Sequence, residues 1–85
     1  MGAHPFGGHP TLARYIAWAR TEGCEAQSGL IQDPDGGMVE YTKITAPNGK
    51  WVIEVGTTAN ERLAPTTVGR LDRRLGLKSP FASMP

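Results

Sequence analysis

The chain has 85 residues, 39% hydrophobic and 20% charged, enough for one small domain with a modest core and too short for a second. Its single cysteine, Cys24, excludes an internal disulfide and fits a reducing compartment. There is no apolar run of about 18 residues and no charged-then-apolar leader, so the expectation is a cytoplasmic protein without a membrane span or signal peptide.

The formal net charge of +1 conceals an asymmetry. Through Thr42 two arginines face five acids, net −3; from Lys43 onward seven cations face three acids, net +4. A basic second half permits a local surface for nucleic acid or an acidic protein.

Residues 1–10 hold three glycines, two prolines and two histidines without apolar periodicity, which predicts a flexible arm. His4 and His9 have no other ligand type nearby, so no metal site is expected. Residues 11–22 predict the first helix. Leu12, Tyr15, Ile16 and Ala19 recur at helical spacing as one apolar stripe, Thr11 or the His9-Pro10 pair can cap the start, and Gly23 can end it. Trp18 lies at the stripe's edge, where it either seals the rim of the core or anchors a partner. Cys24 is expected to be packed rather than reactive.

Residues 24–31 suggest a short edge strand, interrupted by Ser28-Gly29, and Asp33-Pro34-Asp35-Gly36-Gly37 dictates a turn. That edge could pair with a second copy or be blunted by Ser28-Gly29 and the nearby Asp residues, so the oligomeric state stays open. Residues 39–55 predict a hairpin around Asn48-Gly49, the strongest short signal for a two-residue loop. That loop would pair Ala46 with Trp51, Ile44 with Ile53 and Thr42 with Val55 on an apolar face. It would place Lys43 opposite Glu54 on the other face. A polar connection over residues 56–61 leads to a second helix, opened by Pro65 or Thr66 and closed by Gly76, with Val68, Leu71 and Leu75 on one face and Arg70, Arg73 and Arg74 on the other. Residues 78–85 form a tail that either pins Phe81 to the domain or stays loose. Two single-striped helices and one single-faced sheet pack most economically as an α+β, α-β-β-β-α two-layer sandwich, with both helices on one face of a three-stranded antiparallel sheet. The domain is bounded at residues 11–77.

The chain is poor in catalytic groups. Its histidines lie in the arm, no Cys/His cluster exists, and no glycine-rich loop joins a strand to a helix, so no metal or cofactor is expected. Cationic side chains are better placed for binding: Arg70, Arg73 and Arg74 on the last helix, Lys43 and Lys50 on the hairpin, and Arg62 in the preceding loop form a candidate RNA-binding set.

The order helix, Gly23-Cys24, strand, glycine turn, strand, Pro47-Asn48-Gly49-Lys50, strand, then residues 56–63 and the closing run Arg70-Leu71-Asp72-Arg73-Arg74-Leu75-Gly76-Leu77 resembles the HicA toxin family, in particular its phage and actinobacterial members. The resemblance spans residues 11–77 and implies a double-stranded-RNA-binding-like fold, messenger-RNA cleavage and a partner antitoxin. The family's catalytic histidine falls near Tyr41 here, preceded by Glu40 instead of glycine. A phenol with an ordinary pKa near 10 is a poor general base at neutral pH. The expectation is therefore a HicA-like RNA-binding protein without ribonuclease activity. The alternative is a phage or bacterial interaction module that docks an antitoxin-like or host protein through its sheet edge or Trp18.

Overall fold

Thr11 sets the first helix: its hydroxyl accepts a hydrogen bond from the Arg14 amide at 3.1 Å, which satisfies one of the donors a helix start leaves orphaned. Two more are met from across the chain, Leu12 N–H donating to the Glu61 carbonyl and Ala13 N–H to the Ala59 carbonyl, each at 3.0 Å. The computed structural model describes residues 9–81. The element order is α1 (Leu12–Thr21), β1 (Glu25–Gln32), β2 (Met38–Thr45), β3 (Trp51–Val55) and α2 (Pro65–Leu75). The strands form one antiparallel sheet in the order β1-β2-β3, and both helices cover one of its faces, as the α-β-β-β-α reading expects.

The core contains both predicted helical stripes. Leu12, Tyr15 and Ala19 of α1 and Val68, Leu71 and Leu75 of α2 are buried against Ile44, Ala46 and Val52 of the sheet. Pro65 opens α2, and Gly76 closes it in the left-handed region. Cys24 is buried, as expected. The loose-arm reading of residues 1–8 lies outside the described residues. At the arm's end Pro10 is buried and its carbonyl accepts from Leu63 N–H at 2.8 Å. Of the two fates open to the tail, the first holds: Phe81 is buried, so the packed chain continues past Leu77.

The β2–β3 register departs from expectation by one residue. The pairs are Ile44 with Val52, Lys43 with Ile53 and Thr45 with Trp51, not Ile44 with Ile53 and Lys43 with Glu54. The cause is the turn. Gly49 N–H donates to the Ala46 carbonyl at 2.9 Å, Ala46 N–H donates to the Lys50 carbonyl at 2.8 Å, and only Gly49 of the loop has positive φ, +90°. This is a type I turn over Pro47-Asn48 followed by a left-handed glycine, a three-residue loop. Proline's locked φ suits the first central position of a type I turn, and without an N–H it cannot close the Pro47–Lys50 pair that a two-residue loop over Asn48-Gly49 would need. Asn48 then ties the turn to α2, its side-chain amide donating to the Leu75 carbonyl at 3.2 Å while its Oδ1 accepts from Lys50 N–H at 2.8 Å. The first hairpin closes the same way over Pro34-Asp35-Gly36, with Gly36 N–H donating to the Asp33 carbonyl and Gly36 at φ +90°.

The extra loop residue turns β3 over. Val52 and Glu54 point at the helices, and Trp51, Ile53 and Val55, expected inside, stand 54%, 41% and 53% exposed. Glu54 is accommodated on the helix side by an ion pair with Arg70 of α2. Removing the cation strands a nearly buried carboxylate, which costs more than the pair itself contributes. Because the Arg70 side chain is 44% exposed, solvent discounts the effect. Arg70→Ala is expected to destabilise by about 1–2 kcal/mol in urea denaturation, and Glu54→Gln in the Arg70→Ala background should restore part of the loss.

Candidate interaction surfaces

Reversal of β3 leaves the open face of the sheet with an apolar stripe. Pairing in register puts Trp51 beside Thr45, Ile53 beside Lys43, and Val55 beside Tyr41, with Val39 and Ile31 continuing the face. Tyr41 lies flat across β1: a Cβ at Gly29 would sit 2.8 Å from the ring's Cε2, so only glycine at that position leaves the ring its place. Lys43 occupies the middle of the face with its ammonium 5.0 Å from the Trp51 ring centroid, within cation–π range. A shallow groove runs across Gln27, Tyr41, Lys43, Ile53 and Val55.

The six predicted basic residues are not gathered into one surface. Arg70 is paired with Glu54 on the helix side, Arg62 donates from Nη1 to the His9 carbonyl at 2.8 Å, and Lys43 lies on the opposite side of the sheet from α2. Lys50 reaches the end of α2, where its Nζ would lie 3.6 Å from a Cβ at Gly76. It shares that end with Arg73 and Arg74, both exposed in the last turn. Cations there also complement the negative end of the helix dipole.

Trp18 is half-buried at the rim. It packs edge-on against Tyr15 with centroids 5.7 Å apart and against Phe81 at 6.3 Å, and an apolar groove beside it is walled by Ala17, Thr21, Pro80 and Phe81.

Tyr41 stands at the position where the resemblance puts a histidine, and the one histidine among the described residues is His9. His9 is bound through Nδ1 to the Leu63 carbonyl at 3.4 Å. Behind the Tyr41 backbone a cavity of about 80 Å³ is lined by Ser28, Glu40, Thr42 and Thr57; Ser28 and Thr42 hydroxyls are 3.3 Å apart and bonded to each other, and among the described residues neither is hydrogen-bonded to Glu40 or to a histidine that could activate it. No cluster of three or more metal-ligating side chains exists among the described residues.

A polar centre escaped the sequence reading. Asp72 is buried in α2, where its Oδ1 accepts from the Tyr15 hydroxyl at 2.6 Å and its Oδ2 from Ser79 N–H at 3.0 Å and Ser79 Oγ at 2.8 Å. The available signal was its position: Val68, Leu71, Asp72 and Leu75 follow i, i+3, i+4, i+7, so the acid completes the apolar stripe. Burial, with the adjoining carboxylate, pushes the Tyr15 hydroxyl well above its ordinary 10.0, and burial also pushes the Cys24 thiol above 9.0. Both groups hold their protons more tightly folded than unfolded. The stability they contribute is therefore complete below the unfolded values and is lost as pH rises past about 9 for Cys24 and about 10 for Tyr15. Denaturation followed from pH 8 to 11 should show that loss, and Tyr15→Phe should flatten the part above about pH 10, where one tyrosine contributes up to about 1.4 kcal/mol per pH unit.

Comparison of the chain with protein-family models, curated protein sequences and solved structures gives no match. No helix among the described residues is long and apolar enough to cross a membrane.

Proposed function

We propose that this domain is a non-catalytic interaction module that docks a protein partner, of the antitoxin-like or host-protein kind, on the open face of its sheet. The observation that carries the reading is the exposed stripe Trp51, Ile53 and Val55 beside Tyr41. Contiguous apolar surface of this kind is retained where something covers it. The α-β-β-β-α element order is the architecture that a HicA-like domain would have. Tyr41 stands on the open face where the resemblance places a histidine, and a phenol in that place fits binding rather than cleavage.

The face also indicates the partner's chemistry. Lys43 stands in its middle with no carboxylate within ion-pair distance, since the described residues hold a single salt bridge, elsewhere. A partner that covers the face strips water from this ammonium and must supply an anion to it. Two copies stacked face to face about a two-fold axis would instead set Lys43 against its twin. The fitting partner is an apolar surface, such as an amphipathic helix, with a carboxylate inside its apolar stripe. Selection of displayed helical peptides on the immobilised domain is expected to enrich such sequences, bound through Ile53. Enrichment only of sequences that bind Ile53→Asp equally well would overturn the reading.

A second reading, RNA binding, is favoured by one observation: Lys50, Arg73 and Arg74 share the end of α2, and none of them is ion-paired among the described residues. Phosphate neutralisation there predicts affinity for a short RNA duplex that falls steeply between low and moderate salt, with the RNA left intact. Amide shifts confined to residues 39–55 and insensitive to salt would reject it.

A further inference from the structure

The outer edge of β1 is the longest unpaired element in the sheet, and its free hydrogen-bonding groups can be assigned residue by residue. Asp33 N–H donates to the Gly37 carbonyl in continuation of the β1–β2 register. In an antiparallel ladder paired groups alternate, so Glu25, Gln27, Gly29 and Ile31 turn their backbone groups to β2, and Ala26, Ser28, Leu30 and Gln32 turn theirs outward. The second hairpin agrees: Ala46 bonds Lys50 and Gly56 bonds Glu40, so even-numbered residues of β2 serve β3 and odd-numbered ones serve β1. Among the described residues no other backbone group closes the outward row. The usual devices that blunt an edge are missing. β1 contains no proline and no lysine, and its one charge is Glu25 at the start. Leu30, on this strand, is 60% exposed.

We propose that β1 pairs antiparallel with β1 of a second copy about a two-fold axis at Ser28, joining the two sheets into one of six strands. The inference rests on backbone geometry and is independent of what binds the open face. Charge selects the register. Centred on Gly29, the pairing would set Glu25 opposite Asp33 of the second copy twice over, acid against acid. Centred on Leu30, it would run Ala26 onto the turn residue Pro34, which has no N–H to give. Centred on Ser28, it opposes Ser28 to Ser28, Ala26 to Leu30 and Glu25 to Ile31, with no like charges and about six hydrogen bonds from the outward groups. Leu30 then covers Ala26 of the second copy, which is half-buried at the margin of its core. So short a seam makes an association that forms at high concentration and dissociates on dilution.

Sedimentation equilibrium across a concentration series, with amide hydrogen exchange at both ends of it, tests this. The expected result is a mass rising from one chain toward two while the amides of Ala26, Ser28 and Leu30 gain protection; those of Gln27, Gly29 and Ile31 are protected throughout. Ser28→Asp sets two carboxylates face to face and should yield a monomer. Mixing it with Ser28→Lys should restore a dimer of the two variants, which both must fold to form. A monomer at every concentration, with the outward amides exchanging freely, would overturn the proposal. So would a dimer that Ser28→Asp leaves unchanged, which would place the interface elsewhere, including on the open face.

Discussion

Asp72→Ala is expected to destabilise the domain by about 3 kcal/mol, a large part of the 5–10 kcal/mol on the order of which a domain this size is stable. The carboxylate accepts three hydrogen bonds, from the Tyr15 hydroxyl and from the N–H and Oγ of Ser79, and both partners are buried. Truncation removes the shared acceptor of these three bonds in a place water does not reach, and a buried donor that loses its acceptor costs about 1–3 kcal/mol. The relief of no longer burying a carboxylate offsets part of that sum. The same residue's backbone carbonyl accepts from Leu77 N–H, so the network also brings the chain round to seat Phe81 against Tyr15 and Trp18. Urea denaturation should show the loss, and Trp18 fluorescence should report release of the Phe81 contact. Tyr15→Phe should cost less in the Asp72→Ala background than in the wild type, because its partner is already gone. Equal costs in both backgrounds would mean that the hydroxyl and the carboxylate act independently.

The second large effect concerns binding and leaves the fold intact. Ile53→Asp is expected to shift stability by no more than about 1 kcal/mol, because the side chain it replaces faces solvent on an edge strand. The same change sets a carboxylate in the centre of the open face, where a docked partner must be dry. It should weaken a face-bound peptide at least about 30-fold, the loss of about 2 kcal/mol typical of a central contact. Lys43→Glu should act on charge alone, weakening peptides with a carboxylate by about tenfold or more and strengthening peptides with a lysine in its place.

The sequence determined much of this fold legibly. The stripes Leu12-Tyr15-Ile16-Ala19 and Val68-Leu71-Leu75, the Thr11 start and the Gly76 stop mark both helices, and the strands lie where their composition puts them. The face of β3 was not legible from its pattern, because Trp51-Val52-Ile53-Glu54-Val55 is apolar at every position but one and reads well either way up. Only the loop length decides it, and that is set by Pro47 before Asn48-Gly49. The same Pro-Asx-Gly run in the first hairpin is the clue to a three-residue loop. That one residue is what separates a buried Trp51-Ile53-Val55 from an exposed one, and so separates a domain without an obvious docking face from one that has it. Asp72 was hidden for another reason: its place on the Val68-Leu71-Leu75 stripe points it inward, but the partners that make its burial tolerable, Tyr15 and Ser79, are supplied by a different helix and by the tail. The basic set was legible as composition but not as geometry, since Glu54 claims Arg70 and the sheet separates Lys43 from α2.

The most direct test of the docking face is the dissociation constant of one selected carboxylate-bearing peptide, measured for the wild type, Lys43→Glu and Ile53→Asp. The expected order is tightest for the wild type, about tenfold or more weaker for Lys43→Glu and at least about 30-fold weaker for Ile53→Asp. The same affinity for all three would contradict a partner seated on the open face of the sheet.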